Sequence, residues 1–246
     1  MPLSLTGFAG KWPRWMTAAL LLGTIGCGLA EYEAKMDEAQ KRIEYLDKMN
    51  TYLGGAIESP PPEKSPAAAD GTVTVKQKVD VFLRVPKGIE TKFEPGVLGG
   101  VLYRYPRDTT VARPAQRAGV PPSKQPPEFQ EVMVAVSTDR SRDEFWQAIL
   151  GHFGSPETNT MTRDTLQAPG RPSLTYEKLE FVAPSPPTTY FFNVYQAQNV
   201  LVAVVFAVKP DIAKNPDVAA AMDYSLKSLG VGPEANLARS RFRPPN

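Results

Sequence analysis

Two side chains in this 246-residue chain stand out for their chemistry because each is alone: Cys27 is its one cysteine and His152 its one histidine. A single thiol excludes an intrachain disulfide. One cysteine and one histidine cannot make a Cys/His metal site of usual spacing, which leaves only carboxylate sites open to a metal. Nucleophilic catalysis needs a nucleophile, a base and a group that orients the base, and His152 has no second histidine or cysteine to work with. Acid–base chemistry would have to rest on carboxylates such as Asp139, Asp143 and Glu144. Those residues also read as a helix start, because Ser141-Arg142-Asp143-Glu144 has the form of a capping box and the helix dipole favours acids in a first turn. No glycine-rich phosphate loop, Ser/His/Asp set or repeat is visible. The expectation is a chain with no catalytic, cofactor-binding or metal residues, and with no cofactor.

The elements that would position these residues follow from composition and periodicity. With 42% hydrophobic and 22% charged residues, the chain has room for one globular core and non-globular extras. Its 25 prolines are about twice the usual share of ~5%, and they cluster, which points to extended linkers. A net charge of +2 gives no reason to expect the broad basic surface of a nucleic-acid binder. Basic residues gather at Arg104 to Arg117 and Arg239 to Arg243, but those of the loop 106–127 lack interleaved aromatic stacking platforms. No nucleic acid is expected as a partner.

Lys11 and Arg14 precede the apolar run Trp15 to Gly26, which ends at Cys27. A positive region followed by about a dozen apolar residues is the pattern of an export signal, and it is short of the roughly 20 residues of a membrane-spanning helix. Thr24-Ile25-Gly26-Cys27 resembles a bacterial lipobox, with Thr24 where leucine is usual. The resemblance implies that Cys27 is acylated and becomes the mature amino terminus. Two readings stay open beside it, an uncleaved signal anchor and a hydrophobic helix of a soluble protein. The first two place the domain outside the cytoplasm, tethered to a membrane of the cell envelope by residues 1–27.

Residues 28–54 carry apolar side chains in alternating steps of three and four at Leu29, Tyr32, Met36, Ala39, Ile43, Leu46 and Leu53, with Asn50 at a core position. This heptad pattern predicts an amphipathic helix, ended by Gly54-Gly55. Two copies could pair in parallel through Met36, Ile43, Leu46, Asn50 and Leu53, with Asn50 fixing register and Arg42 near the partner's Asp47. The alternative is one helix lying on its own domain or acting as a stalk.

Residues 55–71 read as a proline-rich linker and 72–232 as an α+β domain. Within it, alternate valines from Val73 to Val85 predict a strand with one face on a core. Val97 to Tyr105 predicts a second strand bent at Gly99-Gly100, and 106–127 a long proline-rich insertion. Phe129 to Val136 is a third strand, followed by a helix over 142–153 that places His152 in its last turn, where the imidazole could meet terminal carbonyls. Leu174 to Val182, Thr189 to Ala197 and Asn199 to Val208 predict three antiparallel strands, the last an unbroken apolar run and so the centre of the sheet. Asn215-Pro216-Asp217 starts a final helix that stops at Gly230. Residues 233–246 read as a disordered basic tail. The fold class is α+β, an antiparallel sheet of about six strands flanked by helices as an α/β/α sandwich, preceded by the membrane-proximal helix.

Phe82-Leu83-Arg84-Val85-Pro86-Lys87-Gly88 and Ser225-Leu226-Lys227-Ser228-Leu229, in this order of elements, resemble the PsbP and Mog1 group over about residues 73 to 230. That resemblance implies an α/β/α sandwich that binds partner proteins or assists assembly at membranes rather than catalysing a reaction. The function expected is a membrane-tethered, non-enzymatic envelope protein acting as a protein-binding, assembly or structural module. The alternative is a small-ligand-binding or carboxylate-based enzymatic domain exported on a signal anchor.

Overall fold

Val200–Val208 is the middle strand of a seven-stranded antiparallel sheet, and every residue from Leu201 to Val208 is buried. The computed structural model describes residues 14–57, 79–97, 102–109, 128–154, 161–169 and 171–242, with the side chains of 14–28 and 95–97 outside the description. Helix α1 (Arg14–Tyr52) leads into β1 (Leu53–Ile57), β2 (Val81–Pro86), β3 (Glu94–Val97), β4 (Leu102–Pro106) and β5 (Phe129–Ser137). Helix α2 (Arg142–His152) and strands β6 (Thr162–Leu166), β7 (Leu174–Pro184), β8 (Pro187–Ala197) and β9 (Val200–Val208) follow. The chain closes with α3 (Pro216–Ser228), β10 (Gly230–Val231) and α4 (Pro233–Arg241). It divides into two units, Met1–Tyr45 and Leu46–Asn246, with α1 running through the boundary.

The large sheet has the order β3-β4-β5-β9-β8-β7-β6. Successive side chains of a strand point to opposite faces, so a central strand that is apolar throughout needs cover on both. Leu201, Ala203, Val205 and Ala207 pack with Phe145, Trp146 and Ile149 of α2 on one face. Val202, Val204, Phe206 and Val208 pack with Val218, Ala221 and Leu226 of α3, and with β2, on the other. Each fully buried side chain of this size contributes about 1.5–3 kcal/mol. The class is α+β, with the antiparallel sheet flanked by helices.

Local chemistry sets the element ends as the sequence indicates. Ser141 caps α2, its hydroxyl accepting from the Glu144 amide while the Glu144 carboxylate accepts from the Ser141 N–H, and Gly154 follows with φ +63°. Asn215 caps α3 by accepting from the Asp217 amide, with Pro216 at the first helical position. Gln198 at φ 51° makes the two-residue turn between β8 and β9, where Ala197 pairs with Val200.

Elsewhere the structure corrects the reading. Val81–Pro86 is not a strand with one buried face: all six residues are buried, and it is the middle strand of a separate three-stranded sheet, β1-β2-β10. Val73 to Val79 lie outside the described residues apart from Val79. The stretch Val97 to Tyr105 is not one bent strand, because Val97 of β3 pairs antiparallel with Leu102 of β4. Thr162–Leu166 is an unforeseen edge strand, short, polar and half exposed.

The tail holds a helix where disorder was expected. Ala235, Ala238 and Phe242 are buried, and the Arg171 guanidinium lies over the Phe242 ring at 5.9 Å. Gly230 allows this packing. A Cβ there would sit 2.6 Å from Ala238 Cβ and 2.8 Å from Glu234 O, so only glycine lets β10 approach α4 so closely. Linker residues 58–71 and insertion residues 110–127 lie outside the described residues.

Helix α1 ends by a device the sequence does not announce. The strand follows directly on Tyr52, and Gly54 and Gly55 belong to β1 rather than to a left-handed helix stop. The carbonyls left over at a helix end need donors. Arg84 of β2 ties down the passage from α1 into β1: its Nη2 donates to the β1 carbonyls Leu53 O at 3.3 Å and Gly54 O at 2.9 Å, and its Nη1 donates to Asn50 Oδ1 in the last turn of α1 at 2.7 Å. The Lys87 amide donates to Tyr52 O at 3.0 Å. Tyr52 stacks on Tyr224 at 5.7 Å and donates to Asp217 Oδ1 at 3.1 Å, and Met49 is wholly buried.

These contacts correct the pairing seam. Asn50 is bonded to Arg84 and Leu53 is a strand residue 2% exposed, so both are used within their own domain. Leu46 is half-buried, while Met36 and Ile43 are exposed.

Candidate functional site

The face of the large sheet beneath α3 is covered at its β4-β5-β9 half and open at its β6-β7-β8 end. The opening is a groove of about 790 Å³, walled by α3 and floored by the three strands. Alternate residues of each strand reach it, which brings Asp164 and Leu166 of β6, Tyr176, Lys178 and Glu180 of β7 and Phe191 and Asn193 of β8 to one surface. Helix α3 adds Ala219, Met222, Asp223 and Leu226 from the opposite wall. This volume lies inside the ~300–1,000 Å³ range of ligand pockets.

Hydrogen bonds fix the polar groups. Lys178 Nζ donates to Asp164 Oδ2 at 2.5 Å, the Thr165 amide donates to Asp164 Oδ1 at 2.8 Å, and Tyr176 OH reaches Asp164 Oδ2 at 3.4 Å. The Lys178 ammonium, with the Thr165 amide behind it, holds the Asp164 carboxyl below the usual carboxylate range. Burial, then the fields of Asp164 and Asp223, push the Tyr176 hydroxyl well up, so it stays a neutral donor. Asn193 is 7% exposed and gives its side-chain N–H groups to Phe191 O at 3.2 Å and Val204 O at 3.3 Å. Its Oδ1 carries no hydrogen bond among the described residues.

A second polar cluster lies on the opposite face. Glu177, buried between β7 and α2, accepts from Arg142 through both carboxylate oxygens, Nε at 2.8 Å to Oε2 and Nη2 to Oε1. Trp146 Nε1 donates to Oε2 at 3.1 Å, and Arg163 Nε approaches Oε1 at 3.4 Å. Burial alone would raise the pKa of Glu177, but the bonds from Arg142, Trp146 and Arg163 together outweigh it and hold the carboxyl low. With all its acceptors engaged, this cluster ties the start of α2 to the sheet.

The residues singled out in the sequence lie away from the groove. Glu144 is taken up by the cap, Asp143 is an exposed partner of Arg142 at 3.3 Å, and Asp139 accepts from Ser137 Oγ at 3.1 Å. His152 is in the last turn of α2, but its ring packs edge to face on Phe153 at 5.0 Å and makes no hydrogen bond to a helix carbonyl among the described residues. Arg104 and Arg107, at the start of the basic stretch, are paired with Glu131 and Glu128 of β5 and the residue before it. Cys27 lies within α1, with its side chain outside the description. Among the described residues no helix is long and apolar enough to cross a membrane, and no three His, Cys, Asp or Glu residues lie together where they could hold a metal ion.

None of the groove residues was singled out as a site residue beforehand. Asp164 and Thr162 sit in a strand too polar for a core pattern, and the groove exists only because three strands and a helix meet. The two stretches that carry the family resemblance do touch: Ser225 Oγ donates to Arg84 O at 2.6 Å and Ser228 Oγ accepts from the Arg84 amide at 2.8 Å. Neither a scan against protein-family models nor a search of curated proteins returned a match.

Proposed function

We propose that this chain is a membrane-tethered, non-enzymatic binding module of a bacterial envelope, which holds a partner protein in the groove between β6-β7-β8 and α3. The groove carries the reading: it is an open, mixed polar and apolar surface on rigid elements, with its ion pair and hydrogen bonds already formed. The tether rests on the leader. Trp15 to Gly26 is too short to span a bilayer, so attachment comes from acyl chains on Cys27, each buried CH₂ contributing about 0.8 kcal/mol.

Two measurements test it on the full chain in its native membrane. The mature amino-terminal peptide should have the mass of an acylated Cys27. A photo-reactive residue at Met222, in the groove, should give a discrete protein adduct that one at exposed Leu237 on α4 does not. An intact leader on soluble chain removes the tether, and equal or absent adducts from both positions remove the groove.

Pairing of two copies belongs to the same reading, shortened to the stripe of Leu29, Tyr32, Met36 and Ile43, which are 53–60% exposed. Parallel pairing sets Arg42 near the partner's Asp47, whereas an antiparallel register that aligns Met36 with Ala39 would oppose Lys35 to Arg42. Sedimentation of the full chain in detergent should give a dimer that Ile43→Lys converts to a monomer. A monomer before substitution removes the pairing.

A further inference from the structure

We propose that the occupant of the groove is a lysine or arginine side chain of the partner protein, inserted with apolar neighbours on either side. This rests on the reading of the groove as the partner site and adds the chemistry of recognition. Carboxylates arrive from three separate elements, Asp164 on β6, Glu180 on β7 and Asp223 on α3. Lys178 holds Asp164 at 2.5 Å and Lys227, one turn along α3, holds Asp223 at 2.5 Å, so the charge that remains for an occupant is the negative one of Glu180. The buried amide of Asn193 points the same way. Its N–H groups are both spent on backbone carbonyls, which leaves Oδ1 as an acceptor in the lining with no donor of its own among the described residues.

An anion would meet like charge here. A purely apolar occupant would bury the Asn193 oxygen and the Glu180 carboxylate without donors, which is costly. A basic side chain satisfies both parts of the surface, because its methylene stem lies on apolar groups while its head reaches the acceptors. Leu166, Phe191, Met222 and Leu226 supply that apolar surface. The groove, about 790 Å³ and open along one side, is larger than one such side chain, so flanking residues of a polypeptide are taken in with it. A free amine would leave most of it in water.

The test uses full-length chain in detergent micelles, immobilised and exposed to pools of heptapeptides randomised around a fixed central Arg, Lys, Glu or norleucine. Retention of the Arg and Lys pools should exceed that of the Glu and norleucine pools by on the order of tenfold, the worth of a charge-assisted hydrogen bond. The double variant Glu180→Gln, Asp223→Asn should lose that preference while its thermal melt stays near that of the parent. Equal retention of all pools, preference for Glu, or a preference that survives the double variant overturns the proposal. Displacement by arginine methyl ester at the same concentration as peptide makes the ligand a free amine and overturns the polypeptide source. If the pools fail while position 222 still yields its adduct in membranes, the partner site stands and only its basic recognition falls.

Discussion

Arg84→Ala is expected to destabilise the domain by about 2–6 kcal/mol, the cost of leaving two buried carbonyls without their donor. Arg84 is 1% exposed and has no carboxylate partner among the described residues. Its positive charge is met instead by the β1 carbonyls of Leu53 and Gly54 and by the Asn50 side chain in the last turn of α1. Burial lowers its pKa, yet a guanidinium remains protonated at any ordinary pH. Removing it leaves two backbone carbonyls without a donor, each costing about 1–3 kcal/mol, and a cavity between β1 and β2. Arg84→Lys keeps the charge but cannot reach Asn50, Leu53 and Gly54 at once, so it should recover only part of the loss. Urea unfolding of the full chain gives the magnitude. Hydrogen exchange locates it, with faster exchange expected at the Lys87 amide bonded to Tyr52 O. A loss below about 1 kcal/mol with unchanged exchange would show that the helix end is satisfied in another way.

Glu177→Ala should cost about 2–3 kcal/mol, most of it from leaving the buried Trp146 indole N–H without an acceptor. Arg142 and Arg163 add less, because their side chains are 39% and 78% exposed and water screens them. Glu177→Gln keeps one acceptor oxygen and should cost about half as much. The pH dependence has a definite sign. The folded-state pKa of Glu177 is depressed, so its contribution is complete above the unfolded value of about 4.3 and is lost as pH falls through the folded value. Glu177→Gln should therefore flatten the acid side of the stability profile below about pH 4.3. An acid limb of unchanged slope in the variant would remove Glu177 from that role.

Elements set by local chemistry were legible in the chain. The capping box at Ser141, the Asn215-Pro216 start of α3 and the central place of Val200–Val208 each depend on residues adjacent in sequence or on one period of alternation. Misreadings came where a local signal had two outcomes. Gly54-Gly55 could end a helix or allow close backbone approach, and the second applies, since a Cβ on Gly55 would meet Thr91 Cγ2 at 2.5 Å. Asn50 could fix a coiled-coil register or bind a remote cation, and Arg84, far along the chain, decides between them. Helix α4 was invisible because its buried contacts are alanines, whose burial depends on a glycine in β10.

By itself the sequence determined a short apolar run ending at Cys27, a long helix, and a sheet built about one apolar strand, because hydrophobic periodicity and caps act over a few residues. The tertiary structure alone decided the groove, the Glu177 cluster and the Arg84 helix stop. Each is assembled from elements distant in sequence, and only the antiparallel register and the approach of α2 and α3 to opposite faces bring their groups within hydrogen-bonding reach.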